Sequence, residues 1–370
     1  MKIDNFKVED WFNEYERFSK YDMADTCVES LSLNELFELV GDREKNLEYI
    51  LNKRLNYGDI QGSERIKTAI SFMYEKVDVQ NITITHGAIG ANQLVMLSVI
   101  EAGDKVVSIL PTYQQHYSIP KSIGADVCTV FLREENNWLP DIDELSQKVT
   151  KDTKIICMNN PNNPTGSVMP ETMLKRIVEI ARKNDAYILC DEVYRGLEHD
   201  GNISKSIADL YEKGISTGSL SKVFSLAGLR LGWIVAPDDV MSKIIVQREY
   251  NTISVSAIDD YFGTLALENK EVILGRNLPK ILKGKEILLD WVRDESNVEL
   301  VPPMGGTTAL LKYNSPLSSV ELCKKLLEDT GVLFLPASTL EMEGYLRVGY
   351  CSNIKMLSEG LAKFSKWLRS

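Results

Sequence analysis

From residue 81 onward, short β-branched runs alternate with segments of helix length, and this alternation restricts the fold more than any other feature. "NITIT" (81–85) reads as a strand, "GAIGANQLVMLSVIEA" (87–102) has helical apolar spacing, and "KVVSIL" (105–110) is again a strand. A helix is expected around 112–123. Further strands are "DVCTVFL" (126–132), "KIICMN" (154–159), "AYILC" (186–190), "GISTGSL" (214–220) and "LGWIVAP" (231–237). Several are apolar throughout, which marks strands covered on both faces. The expected fold class is therefore α/β, a mostly parallel sheet wrapped by helices. Beyond Pro237 the pattern changes to a long helical stretch (238–269), a charged helix near 271–294, short strands at "TTALLKY" and "GYLRVGY", and a terminal helix at 356–368. That is a smaller α+β unit, and the first 45 residues, which lack the alternation, are expected to pack with it. The division predicted is a large unit at 46–265 and a small one made of 1–45 and 266–370.

Composition excludes several classes of function. With 370 residues, 44% of them hydrophobic, the chain can bury a core without metal or disulfide staples. Cys27, Cys128, Cys157, Cys190, Cys323 and Cys351 are scattered without a C-x-x-C pair, as expected of reduced thiols in a cytoplasmic protein. His86, His116 and His199 share no metal-ligand spacing, so no metal site is expected. A formal net charge of −11 argues against a nucleic-acid or anionic-membrane surface. The N-terminus has no apolar leader, and no run reaches the ~18 apolar residues of a membrane span.

In open parallel sheets, ligands gather at the carboxyl ends of the strands. After 81–85 comes "THGAIGAN", a small-residue turn opening a helix; it suits either an anion or tight packing. Neither G-x-G-x-x-G nor the Walker pattern is present, which removes a Rossmann dehydrogenase. After 105–110 comes Tyr113, a plate for a planar ligand or a packing residue. After 154–159 comes "NPNNPTG", a proline-fixed loop rich in amides, or a plain turn. After 186–190 comes "DEVY". Asp191 there is either a helix cap or a carboxylate needing a partner, since burying one unpaired is costly. Finally, "SLSKVFSLAGLRLGW" (219–233) sets Lys222 between small hydroxyl residues and adds Arg230. An anion cradle, an aromatic plate, an amide, a carboxylate, a phenol, a lysine and an arginine share one sheet edge. They suit a phosphorylated pyridine aldehyde bound to a lysine.

At these residues the sequence resembles pyridoxal-phosphate enzymes of fold type I, in the class I/II aminotransferase group. The resemblance runs from about Tyr57 to Arg347, through "NPNNPTG", "DEVY", "SLSK", "GLRLGW" and "YLRVGY" in this order. It implies pyridoxal 5'-phosphate as cofactor, an α-amino acid and a 2-oxo acid as substrates, and a homodimer with shared sites. It assigns Lys222 to the Schiff base and to proton transfer at the substrate Cα, for which imine formation and neighbouring charge must lower its pKa. Asp191 would keep the pyridine nitrogen protonated, Asn163 and Tyr194 would bind the ring oxygen, and Tyr113 would stack on the ring. Gly87, Ala88, Ser219 and Arg230 would hold the phosphate, with Ile89 and Ser221 beside them in the cofactor site. Arg347 would grip the substrate α-carboxylate, beside Asn163. Tyr57 would reach the phosphate of the neighbouring subunit.

Three positions depart from the family's pattern: His116 stands where a tyrosine is common, "CVESLSL" lacks a glycine, and Thr307 follows "PPMGG" where an aromatic is frequent. All fall where substrate and outcome are chosen. An amino-acid lyase, decarboxylase or cyclase on the same cofactor is therefore the alternative. A cofactor-binding sensor module of a transcription regulator is the non-enzymatic one, and the acidic residues before the sheet disfavour it.

Overall fold

The computed structural model describes residues 2–369. An N-terminal helix (Lys7–Tyr15) precedes a two-residue strand, β1 (Tyr21–Asp22). The main sheet then follows: β2 (Ile82–His86), β3 (Lys105–Leu110), β4 (Asp126–Phe131), β5 (Thr153–Asn159), β6 (Tyr187–Asp191), β7 (Gly214–Ser219) and β8 (Leu231–Val235). Their order is β2-β8-β7-β6-β5-β3-β4. Neighbours run parallel except at β8, which is antiparallel to both β2 and β7.

The continuous apolar runs have a direct physical meaning here. Val107, Ile156 and Ile188 pack on one face with Leu174 and Ile177 of the helix Glu171–Asn184. Val106, Ile155 and Leu189 pack on the other with Leu94 and Val95 of the helix Gly87–Val99. Successive residues point to opposite faces, so a strand covered on both sides must be apolar at every position. Each such side chain contributes about 1.5–3 kcal/mol on burial.

The order also places the functional edge. After β3 the chain crosses to β4 on one side, whereas β5 lies on β3's other side. That reversal opens a crevice at the carboxyl ends of β3 and β5. Because β8 runs against its neighbours, its amino end reaches the same edge, and Arg230 arrives there with it. The turn after β2 arrives too. It fits because β8 carries Gly232: a Cβ there would lie 2.4 Å from the Gly87 carbonyl carbon and 2.7 Å from the Ala88 nitrogen.

The C-terminal part holds β9 (Val298–Leu300), β10 (Thr308–Tyr313), β11 (Val332–Leu333), β12 (Leu335–Pro336) and β13 (Tyr345–Gly349). β12-β13-β10-β9 form an antiparallel sheet, and β11 pairs in parallel with β1. The stretch 238–269, expected as one helical region, is two helices, Asp238–Glu249 and Ala257–Glu268. Asn251, Thr252, Ile253 and Val255 between them are weak helix formers. The buried Arg248 side chain bonds the Ile253 carbonyl (3.0 Å), and Ser256 caps the second helix. Among the described residues no helix is long and apolar enough to cross a membrane.

Candidate functional site

A cavity of about 470 Å³ opens at the carboxyl edge of the main sheet. Asn159, the last residue of β5, anchors one wall: its amide donates to the Asp191 carbonyl (2.7 Å) and its oxygen accepts from the Asn163 N–H (2.6 Å). Asn162 bonds the Pro111 carbonyl and accepts from Thr165. These amides hold the loop, leaving Asn163 as its member on the cavity wall, where its oxygen accepts from Arg347 (3.3 Å).

Asp191 ends β6, buried. Asn92 Nδ2 donates to it (2.8 Å), as does the Val193 N–H (3.0 Å), and Thr217 Oγ1 in turn fixes the Asn92 amide (2.7 Å). Burial pushes the Asp191 carboxyl up, against the pull of these donors and of Lys222. Among the described residues no side-chain cation bonds it directly, so its charge is left for a cationic partner to meet.

The helix Gly87–Val99 starts without a side-chain cap, leaving its first N–H groups to the cavity edge. Gly87 has φ of 66°, and a Cβ on it would sit 3.0 Å from Arg230 Nη2. Arg230 itself has φ of 50°, a conformation that costs a non-glycine residue on the order of 1–2 kcal/mol. Ser219, Ser221, Ala88 and Ile89 complete this corner. N–H groups, hydroxyls and a guanidinium around one corner suit a phosphate.

Lys222 is half-buried and donates to Thr26 Oγ1 (2.5 Å) and Cys27 Sγ (3.1 Å). Burial disfavours its ammonium, but Tyr194 and Cys27, and more weakly Asp25, outweigh burial and hold its pKa above the ordinary value. This corrects one expectation: the neighbouring charges raise the lysine pKa rather than lower it. The Tyr194 hydroxyl is buried without a well-formed hydrogen bond, near Thr26, and burial raises its pKa.

Arg347, in the inner strand β13, is 2% exposed. Nη2 donates to the Ala24 carbonyl (2.9 Å), Nη1 reaches Asn163, and Nε has no partner. Burial lowers its pKa, and no side-chain carboxylate bonds it. Tyr113 lines the cavity, packs against Phe6 with ring centres 4.7 Å apart and the planes tilted by 48°, and donates to Glu9 Oε1 (2.9 Å).

Sequence reasoning thus placed at the cavity Ala88, Ile89, Tyr113, Asn163, Asp191, Tyr194, Ser219, Ser221, Lys222, Arg230 and Arg347. Gly87 lies behind Arg230. Tyr57 is not brought in: it is 77% exposed and off the cavity wall. The departures noted above also find places. His116 is buried away from the cavity wall, where burial drops its pKa to about 4, and Thr307 holds the Thr26 carbonyl (2.7 Å). Reasoning from sequence missed Glu9, Phe12, Thr26, Cys27, Asn92 and Asn159. Of these, Asn92 left a signal, one of two adjacent amides in an otherwise largely apolar helix.

The sequence profile described as "Aminotransferase class I and II" matches residues 31–364. The chain belongs to that family. Members use pyridoxal phosphate, and this enzyme has their fold type I architecture. It is similar to a PLP-dependent aminotransferase from Streptococcus suis 89-1591, with 42% identity, TM-score 0.97, and coverage of 100% and 98% of the two chains. Capreomycidine synthase of Streptomyces vinaceus is 27% identical over 366 residues, 98% of this chain and 93% of that one. An aspartate aminotransferase of Pyrococcus horikoshii is 28% identical over 343 residues, 88% of each. The buried Asp191, the free Tyr194 hydroxyl and the uncapped helix start fit the cofactor of this enzyme family.

Proposed function

We propose that the protein transfers the amino group of an α-amino acid to a 2-oxo acid, with pyridoxal phosphate held covalently on Lys222. Gly87, Ala88, Ser219, Ser221 and Arg230 bind its phosphate. Asp191, fixed by Asn92, keeps the ring nitrogen protonated. Asn163 and Tyr194 bind the ring oxygen, and Tyr113 covers the ring. When bound, the group supplies a ring that accepts the electron pair left by a breaking Cα bond. The chain's own residues do the rest: Arg347 orients the substrate by its α-carboxylate, and Lys222 takes and returns the Cα proton.

The observation that carries the reading is Arg347. A buried guanidinium with no carboxylate partner and a free Nε faces the cavity that also holds Lys222. A carboxylate would satisfy it bidentately. Residues 46–265 form the cofactor-binding unit in this reading, and 1–45 with 266–370 the smaller unit.

The enzyme works in the cytoplasm as a homodimer. Leu51 and Leu55 are each 80% exposed, and Tyr250 is 89% exposed. Gly58 packs against Val255 and Ala257, so the two segments are neighbours. Their apolar side chains suit a second copy that takes Tyr57 into its site.

The match to capreomycidine synthase across nearly the whole chain favours a second reading, a ring-forming or eliminating outcome on the same cofactor. A panel of amino acids added to the holoenzyme separates the two. Conversion of the cofactor from its aldehyde to its amine form, with release of a 2-oxo acid, supports transfer. Loss of substrate while the aldehyde form persists assigns the second reading.

A further inference from the structure

We infer that Glu9 reads the far end of the substrate side chain and selects α-amino acids whose aliphatic stem ends in a cation. The inference rests on the reading just proposed. Five charged side chains line the cavity: Glu9, Asp191, Lys222, Arg230 and Arg347. That reading uses four of them for the cofactor and the α-carboxylate. Glu9 is left over, bonded only to Tyr113 among the side chains of the cavity.

Its position is fixed from both sides of the cavity. The Lys7 N–H donates to Gln114 Oε1 (2.8 Å), and Gln114 returns a bond to the Asn5 carbonyl (2.8 Å). Trp11 Nε1 donates to the Phe334 carbonyl (3.1 Å), and Lys7 pairs with Glu341 (2.6 Å). The helix Lys7–Tyr15 therefore straps residues after β3 to residues beside β12. Glu9 and Phe12, three apart, share its cavity-facing side.

The carboxylate is half used. Oε1 accepts from the Tyr113 hydroxyl at 2.9 Å, and no ion pair among the described residues includes Glu9. Burial and then the Glu9 charge hold the Tyr113 hydroxyl protonated, so it stays a donor. That leaves Oε2 for a ligand. Val8, Phe12 and Ile89 line the same cavity and suit an aliphatic stem. An acidic side chain would find no unassigned cation there and would meet Glu9 as a like charge. An ammonium or guanidinium end would complete it.

The test uses the purified holoenzyme, with ornithine, norleucine and glutamate as probes of similar length. Binding is read from the cofactor's absorbance and turnover from kcat/KM. The native enzyme is expected to prefer ornithine. Glu9→Gln is expected to lower kcat/KM for ornithine about 5- to 30-fold, through KM, between the effects of an exposed ion pair and of a desolvated charged hydrogen bond. Norleucine should be unaffected, and Glu9→Lys should turn the preference towards glutamate. Equal losses on all three probes would show that the helix only supports the fold and would overturn the inference. So would a native enzyme that takes glutamate as well as ornithine. If no amino acid perturbs the native cofactor spectrum, the amino-acid reading itself fails and takes this one with it.

Discussion

The sheet edge and the strap side of the cavity are built on opposite plans. At the sheet edge, polar side chains are tied to one another: Asn159 to Asp191 and Asn163, Asn162 to Pro111 and Thr165, Thr217 to Asn92, Asn92 to Asp191. On the strap side, valences are open. Arg347 has a free Nε, and Glu9 has a free carboxylate oxygen. Amides fixed at both ends preset one geometry, with the Tyr194 hydroxyl and the uncapped helix start left open, and suit a ligand that never changes. Open valences on fixed side chains leave the choice of ligand to the substrate. In the proposed reading, one cavity thus joins a rigid holder for a cofactor to a selective face for an amino acid.

The most severe break in this comparison is at Lys222, where the halves meet. Lys222→Ala should lose turnover by several orders of magnitude, because both proton transfers at Cα lose their agent. The sheet edge should still retain the cofactor without a covalent bond. Borohydride reduction and peptide mapping of the native protein should place the label on Lys222. A label on another lysine would overturn its role.

Arg347→Lys sharpens the contrast from the strap side. Charge is kept but the two-pronged fit is lost, which should cost roughly 1.5–3 kcal/mol, or about 10- to 150-fold in kcat/KM for an amino acid. The corresponding amine without its carboxylate should be penalised far less. Equal losses on both would mean that Arg347 does not read the carboxylate.

The smallest effect expected is on the stability of the apoprotein. Burial raises the Asp191 pKa from an ordinary value of 3.8. A carboxyl raised on folding binds its proton more tightly in the folded state. Its contribution is therefore fully present below pH 3.8 and falls as pH rises through the higher folded value. Asp191→Asn removes that fall. Melting curves of the apoproteins from pH 4 to 8 should show the variant gaining on the native chain as pH rises. A gap that stays constant with pH would show that Asp191 is not the strained carboxyl.

Much of this was legible before any tertiary contact. β3 falls where "KVVSIL" does, and the other main-sheet strands fall within two residues of their apolar runs. The residue following each strand was the right place to look, because parallel topology forces those ends together. Lys222, Asp191 and Asn163 could be found this way since each sits at the end of its own signal. The break at Tyr250 could not, because it depends on Arg248 reaching a loop carbonyl. Nor could Tyr57's distance from the cavity of its own chain.

The sequence by itself determined the strands, their two-faced burial and the chemistry at the sheet edge, because each follows from residues close along the chain. Only the tertiary structure decided what faces that edge. Glu9 meets Tyr113 across 104 positions, and Thr26 meets Lys222 across 196. Neither pairing has a local cause. Each exists because β1 joins β11 and the first helix is bonded to Gln114 and Phe334, which carries an otherwise featureless acidic segment onto the mouth of the site.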